Sequence, residues 1–293
     1  MRMKAILSMT LLLFLAASGC QWHRQPFDNQ GIAGHIHAID HVPVVVADLD
    51  EVTRFFSETL HFSLKTGKEH AGIKNSFIKF QDGSYLEFIT PLDSTQEIGK
   101  YYTQALSKRQ GGTYLAISVP SADSVRQYLD QQHIAYAADS NRIWKTLEPK
   151  DAELFYIQYS DTNRRDKPAY TSHTNGSLSM HSAWVISNDI PSDIQRYSTF
   201  GATFIRTDTL LNMPAHLFTV GKSELILLDA QAGKDIPEML RAPGMQGVCG
   251  FTIHVSSLDS LNQLLPVSAQ RVVEKNRTVY FLSDYSLFLV FTE

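Results

Sequence analysis

Apolar and polar positions along this chain recur in one order, and that order appears four times. Residues 39–50 (IDHVPVVVADLD) form an apolar run ending in Asp-Leu-Asp. An amphipathic stretch follows from Glu51 to Leu60, then three short β-like runs, the last being Ser84-Tyr-Leu-Glu-Phe-Ile-Thr. The pattern returns at 113–125 (TYLAISVPSADSV), closing with Leu154-Phe-Tyr-Ile-Gln-Tyr, and at 180–194 (MHSAWVISNDIPSDI), closing with Ser223-Glu-Leu-Ile-Leu-Leu. A fourth copy starts at 250–261 (GFTIHVSSLDSL) and closes with Ser286-Leu-Phe-Leu-Val-Phe. Each copy predicts strand, helix, then three strands over about 45 to 55 residues. Asp50, Asp123, Ser192-Asp193 and Asp259 offer side-chain acceptors for helix starts, and Gly83, Gly221 and Ser283-Asp284 sit where the closing hairpins must turn.

One such unit leaves an open sheet edge and an uncovered apolar face, so units are expected to pack in pairs. Four units then predict an α+β protein of two domains, at 38–172 and 178–293. The polar, Pro/Gly/Ser/Asn-rich stretch 160–177 divides them. Longer connections, 93–110 and 232–246, join the units inside each domain; the first has helical spacing at Ile98, Tyr101, Tyr102, Ala105 and Leu106.

Composition narrows the class. With 293 residues, 43% hydrophobic and 19% charged, the chain has material for a sizeable core and fits neither disorder nor a polytopic membrane protein. Lys+Arg 26 against Asp+Glu 30 gives a formal charge of −4, with no basic stretch, so nucleic acid is not expected as a partner and a small molecule is. Dinucleotide, phosphate-loop, nucleophile-elbow and zincin motifs do not occur.

At the N-terminus, Arg2 and Lys4 precede an apolar run from Ala5 to Ala17, then Ser18-Gly19-Cys20. The run is short for a spanning helix and predicts a removable signal peptide at 1–19, followed by a polar tether at 20–37. Ala-Ser-Gly-Cys20 resembles a bacterial lipobox with Ala17 in place of the usual Leu. The resemblance implies lipidation of Cys20, membrane contact through the lipid anchor alone, and a cell-envelope address. Gln21 resembles the outer-membrane sorting pattern. Cys249 is then the remaining thiol and reads as buried and inert.

Asp40-His41 opening the first unit and Tyr85-Leu86-Glu87 closing it, with Gly67 to Asn75 and Gln81-Asp-Gly-Ser-Tyr85 between them, resemble the vicinal oxygen chelate superfamily, within it the glyoxalase-like proteins. The resemblance implies four βαβββ units forming two cupped sheets, with a metal held inside a cup by residues of the first and closing strands. Carried over position by position, His41 and Glu87 match. Tyr114 takes the first-strand place of the second unit and Gln158 its closing place. In the second domain the equivalents are His181 and Glu224, with Gly250 and Val290 in the fourth unit.

The expected site is therefore a divalent metal (Zn, Fe, Mn or Ni) at His41, Glu87 and Gln158. Glu87 moves a proton, while Asn75 and Tyr114 contact a small oxygen-rich substrate. The implied activity is a metal-assisted lyase or isomerase. The alternative is a binding protein that holds a small molecule without turnover.

Overall fold

The computed structural model describes residues 31–161, 166–231, 246–267 and 271–293. The signal segment, Cys20, most of the tether, part of the polar stretch 160–177 and nearly all of the second connection lie outside the described residues.

The first two units are β1 (Ala38–Val45), α1 (Leu49–Arg54), β2 (Lys65–His70), β3 (Ile73–Lys79), β4 (Tyr85–Pro91), and, after α2 (Glu97–Lys108), the short β5 (Gly111–Gly112), β6 (Leu115–Ser118), α3 (Ala122–Gln131), β7 (Tyr136–Ser140), β8 (Trp144–Pro149) and β9 (Leu154–Tyr159). A short helix, α4 (Pro168–Thr171), leads to the second pair: β10 (Ser177–Ser187), α5 (Ile190–Thr199), β11 (Thr203–Leu210), β12 (Met213–Val220), β13 (Ser223–Asp229), β14 (Gly247–Val255), α6 (Leu258–Leu264), β15 (Arg271–Glu274), β16 (Arg277–Leu282) and β17 (Leu287–Thr292). Each pair makes one mixed sheet, in the orders β2-β3-β4-β1-β6-β9-β8-β7 and β11-β12-β13-β10-β14-β17-β16-β15. Within every unit the first strand runs parallel to its closing strand, and the two first strands of a sheet pair antiparallel at its centre.

The capping residues fall two or three residues ahead of the expected acceptors. Asp48, Ser121, Asp189 and Ser257 are the capping residues, each accepting from a backbone N–H of the first turn. The reason is geometric: the cap lies outside the helix, in extended backbone, so the acidic residues that follow it occupy the first turn instead. Gly83 and Gly221 turn their hairpins with φ of 92° and 60°. At Gly221 a Cβ would also stand 2.2 Å from the carbonyl oxygen of His37.

The helix-covered faces of the two sheets share one continuous apolar core. Val42, Phe88 and Ile117 of the first sheet belong to the same cluster as Leu225, Phe251 and Phe291 of the second. The rings of Phe62 and Phe291 lie 6.5 Å apart across the seam, and the hydroxyls of Tyr128 and Tyr156 donate to the carbonyls of Thr199 and Phe200 at the end of α5. The opposite faces of the sheets form the cups.

Candidate functional site

In the first cup, strand parity puts His41 of β1, Asn75 of β3, and Tyr85 and Glu87 of β4 on one face. His41 pairs across the ladder with Tyr85 and stacks on its ring at 4.2 Å, while Phe155 of β9 meets the imidazole edge-on at 5.6 Å. His41 is 4% exposed and Asn75 5%. At such burial most polar atoms find a partner. Asp40 Oδ1 lies 2.6 Å from His41 Nδ1 and also accepts from the Tyr159 hydroxyl at 2.9 Å. Asn75 Nδ2 donates to Glu87 Oε1 at 2.7 Å, and its own Oδ1 accepts from the Lys68 N–H at 2.9 Å. The second carboxylate oxygen, Glu87 Oε2, stands 3.7 Å from His41 Nε2.

Asp40 can take part because the β1–β6 register shifts between Ile39 and His41. Without that bulge, neighbouring strand residues would point to opposite faces. A carboxylate at Nδ1 fixes a neutral imidazole as the Nδ1–H tautomer, so the Nε2 lone pair is aimed at Glu87. Lys79 completes the charged lining: its Nζ lies 3.1 Å from the Tyr85 ring centroid and 3.8 Å from Asp166, which also pairs with Lys65. Burial pushes the Lys79 ammonium down to about 8, with Asp166 and then Asp40 acting in the opposite sense. The residue patterns used above did not single out Lys79; its signal is a lysine at a cup-facing position of β3, in phase with Asn75 and Phe77.

Gln158 is not brought to His41. It shares the parity of Leu154 and Tyr156 on the helix-covered face, and its Oε1 accepts from the Ala122 N–H at 2.8 Å at the start of α3. The closing-strand place lies three residues earlier, on the opposite face. Counted back from the caps Asp48 and Ser121, Tyr114 corresponds to His41, and Phe155, opposite Ala116, corresponds to Glu87, opposite Pro43. Tyr114 hydrogen-bonds to the Tyr102 hydroxyl at 2.7 Å, and burial raises its phenol well above the ordinary value. Both tyrosines belong to a plug in which Tyr102, Ala105 and Leu106 of α2 pack on Val45, Ile73 and Ile89.

The second cup differs. Counting back from Asp189 places Ser182 and Ile226 where His41 and Glu87 stand, so His181 falls one residue and Glu224 two residues before the equivalent places. The β10–β14 register shift at Met180/Ser182 carries them off that phase. His181 Nε2 lies 3.6 Å from Glu224 Oε2, and the His181 ring stacks on His254 at 4.3 Å. The cup itself is filled by Trp184, Ile186, Leu217, Ile226, Phe288 and their neighbours. A Cβ on Gly250 would meet the Phe288 ring at 2.5 Å. Cys249 is buried in this filling, with its thiol pushed up to about 12 by desolvation.

Among the described residues no group of three or more His, Cys, Asp or Glu side chains converges as a metal site. The first cup offers two donors, His41 Nε2 and Glu87 Oε2, against the three protein ligands that open catalytic zinc sites supply. By themselves they do not make a resident metal centre.

A shallow cleft of about 280 Å³, lined by Arg142, Ile143, Tyr159, Ser160 and Asp161, opens at Tyr159, whose hydroxyl holds Asp40.

A glyoxalase-like domain family matches residues 39–200. Among solved structures, a hypothetical protein from Staphylococcus aureus is similar at a TM-score of 0.60 and 12% identity, over 86% of this chain and 97% of that one. Homoprotocatechuate 2,3-dioxygenase from Arthrobacter globiformis follows at 0.56 and 10%, over 89% and 80%. A variant of 4-hydroxymandelate synthase from Streptomyces coelicolor gives 0.59 and 13%, over 88% and 92%. At these identities the likeness is one of fold. No curated protein matches the chain.

Proposed function

The chain belongs to the glyoxalase-like domain family, and on that premise we propose that its first cup is a proton-transfer site, a lyase or isomerase acting on a small oxygen-rich molecule. One observation carries the reading: a buried imidazole whose Nδ1 is engaged by Asp40 and whose Nε2 faces a second carboxylate, Glu87, held in place by Asn75. His41 Nε2 takes the proton from a carbon beside a carbonyl. The imidazolium that forms lies between two carboxylates, and the proton is returned to the adjacent carbon or oxygen, so the reaction is neutral overall. Lys79, in reach of the Tyr85–Tyr159 hydroxyl pair's end of the cup, supplies positive charge for the oxygen-rich part of the molecule.

A panel of small hydroxycarbonyl compounds in deuterated buffer tests this, with NMR reading both turnover and exchange of the carbon-bound proton. His41→Gln and Glu87→Gln should each slow exchange by at least ~100-fold, the range of a lost general base, while ligand-induced thermal shifts persist. The second reading, capture without turnover, is favoured by Tyr114 and Phe155 standing where a second unit would supply donors. Thermal shifts with no exchange in the wild type would establish that reading instead.

The order Arg2, Lys4, apolar run, small residues, Cys20 supports a second proposal, an envelope lipoprotein bound for the outer membrane. Cys20→Ser should abolish acylation and release the protein from the membrane fraction; unchanged electrophoretic mobility and membrane retention would refute it.

A further inference from the structure

The four outer strands of the two sheets differ in how their charges are spent. On β2, Lys65 is held by Asp166. On β15, Arg271 donates to the carbonyls of Asn262 and Leu265, and Glu274 is gripped twice by Arg277. The β7 strand carries Asp139 and no cation. The β11 strand is different: eight residues, Thr203-Phe-Ile-Arg-Thr-Asp-Thr-Leu210, exposed on both faces from Thr203 to Thr209. Phe204 and Ile205 are 47% and 40% exposed, and Arg206 and Asp208 meet only loosely, at 3.7 Å.

An open edge of this length presents unpaired backbone groups, and proteins commonly blunt such edges with charges of one sign, which repel when the strand meets its own copy. The β11 strand has a bulge between Phe204 and Arg206, and in the regular stretch beyond it, Arg206 to Leu210, its charges do the reverse. Its opposite charges sit symmetrically about Thr207, so an antiparallel pairing centred there sets Arg206 of one chain against Asp208 of the other, twice. Opposite charges directly across a strand pair are favourable and like charges are not.

We propose that β11 is a homodimer interface: two copies of this chain pair edge to edge about a two-fold axis at Thr207, joining their second sheets into one. The interface is isologous, so a single pairing satisfies both copies and the assembly closes at two. It does not involve the sheet that carries the first cup.

Sedimentation of the full chain, purified in detergent, reads the association over a concentration series. Wild type should show a monomer–dimer equilibrium. Arg206→Asp and Asp208→Arg each place like charges across both pairs and should weaken association at least ~10-fold, an effect of the size of a few unfavourable cross-strand pairs. Both side chains are about half exposed, at 57% and 46%, so neither change disturbs the core. Mixed in equal amounts, the two variants restore both complementary pairs, and the heterodimer should form with wild-type affinity. That rescue cannot arise from misfolding. A wild type that stays monomeric, single variants that dimerise as well as wild type, or a mixture that stays monomeric would each overturn the proposal.

Discussion

Lys79 shows what the site costs the fold. Burial holds its ammonium at about 8, against an ordinary lysine near 10.4. Between those values the unfolded chain binds a proton that the folded chain has released, so stability rises with pH across about pH 8 to 10; below pH 8 the cost of burying the charge is felt in full. Lys79→Met should therefore raise stability at pH 7 by roughly 1–3 kcal/mol and flatten that rise, because Asp166 keeps Lys65 as its partner. Urea denaturation at pH 7 and pH 10 measures both effects, and a variant no more stable than wild type at pH 7 contradicts the assignment. His41, Asn75 and Glu87 were legible because strand alternation and the family resemblance agree on their face. Asp40's role was not, since a bulge leaves no mark in an apolar run. Gln158 was misplaced for a related reason: it stands three positions past the equivalent residue Phe155, and an odd offset along a strand lands on the other face.

At the scale of elements, the segment before β10 reads as polar linker, yet its second half is pinned. His173 Nδ1 accepts from the Ser63 N–H and Nε2 donates to the Lys79 carbonyl, both at 3.0 Å, while Asn175, 2% exposed, donates to the Leu60 carbonyl. Polar side chains that serve as internal hydrogen-bond partners look, in sequence, the same as solvated ones. Burial lowers the His173 imidazole to about 4. Above the ordinary histidine value near 6.5 both states are neutral; as pH falls from there toward 4 the unfolded chain gains a proton the folded one refuses, so stability is lost across that window. The loss attributable to His173 is on the order of 3 kcal/mol. Wild type should accordingly lose about that much more stability between pH 7 and 4 than His173→Gln does, measured by denaturant titration at both pH values. Parallel losses in the two proteins would assign the acid sensitivity elsewhere.

Over the whole molecule, the fourfold repeat was readable because each unit combines an apolar first strand, a capped helix and a Gly- or Ser-turned hairpin. The partner covering each sheet was not, because an apolar face carries no record of what packs on it. Pairing units inside each sheet leaves the helix-covered faces to be buried against one another, and Val42, Phe88, Leu225 and Phe291 share one cluster across the seam. Arg109 reinforces the seam by donating both to the Gly112 carbonyl beside β1 and to the Gln246 and Val248 carbonyls at β14. Two sheets that share a core should lose it together. Trp144 reports on the first sheet and Trp184 on the second, so variants keeping one tryptophan each, with Trp22 replaced in both, provide separate probes. Their urea transitions should coincide in midpoint and slope, as a single cooperative unit requires. A fragment ending near residue 175 should lack a cooperative transition altogether. Separate midpoints for Trp144 and Trp184, or a fragment that unfolds cooperatively, would show instead that each sheet folds on its own core.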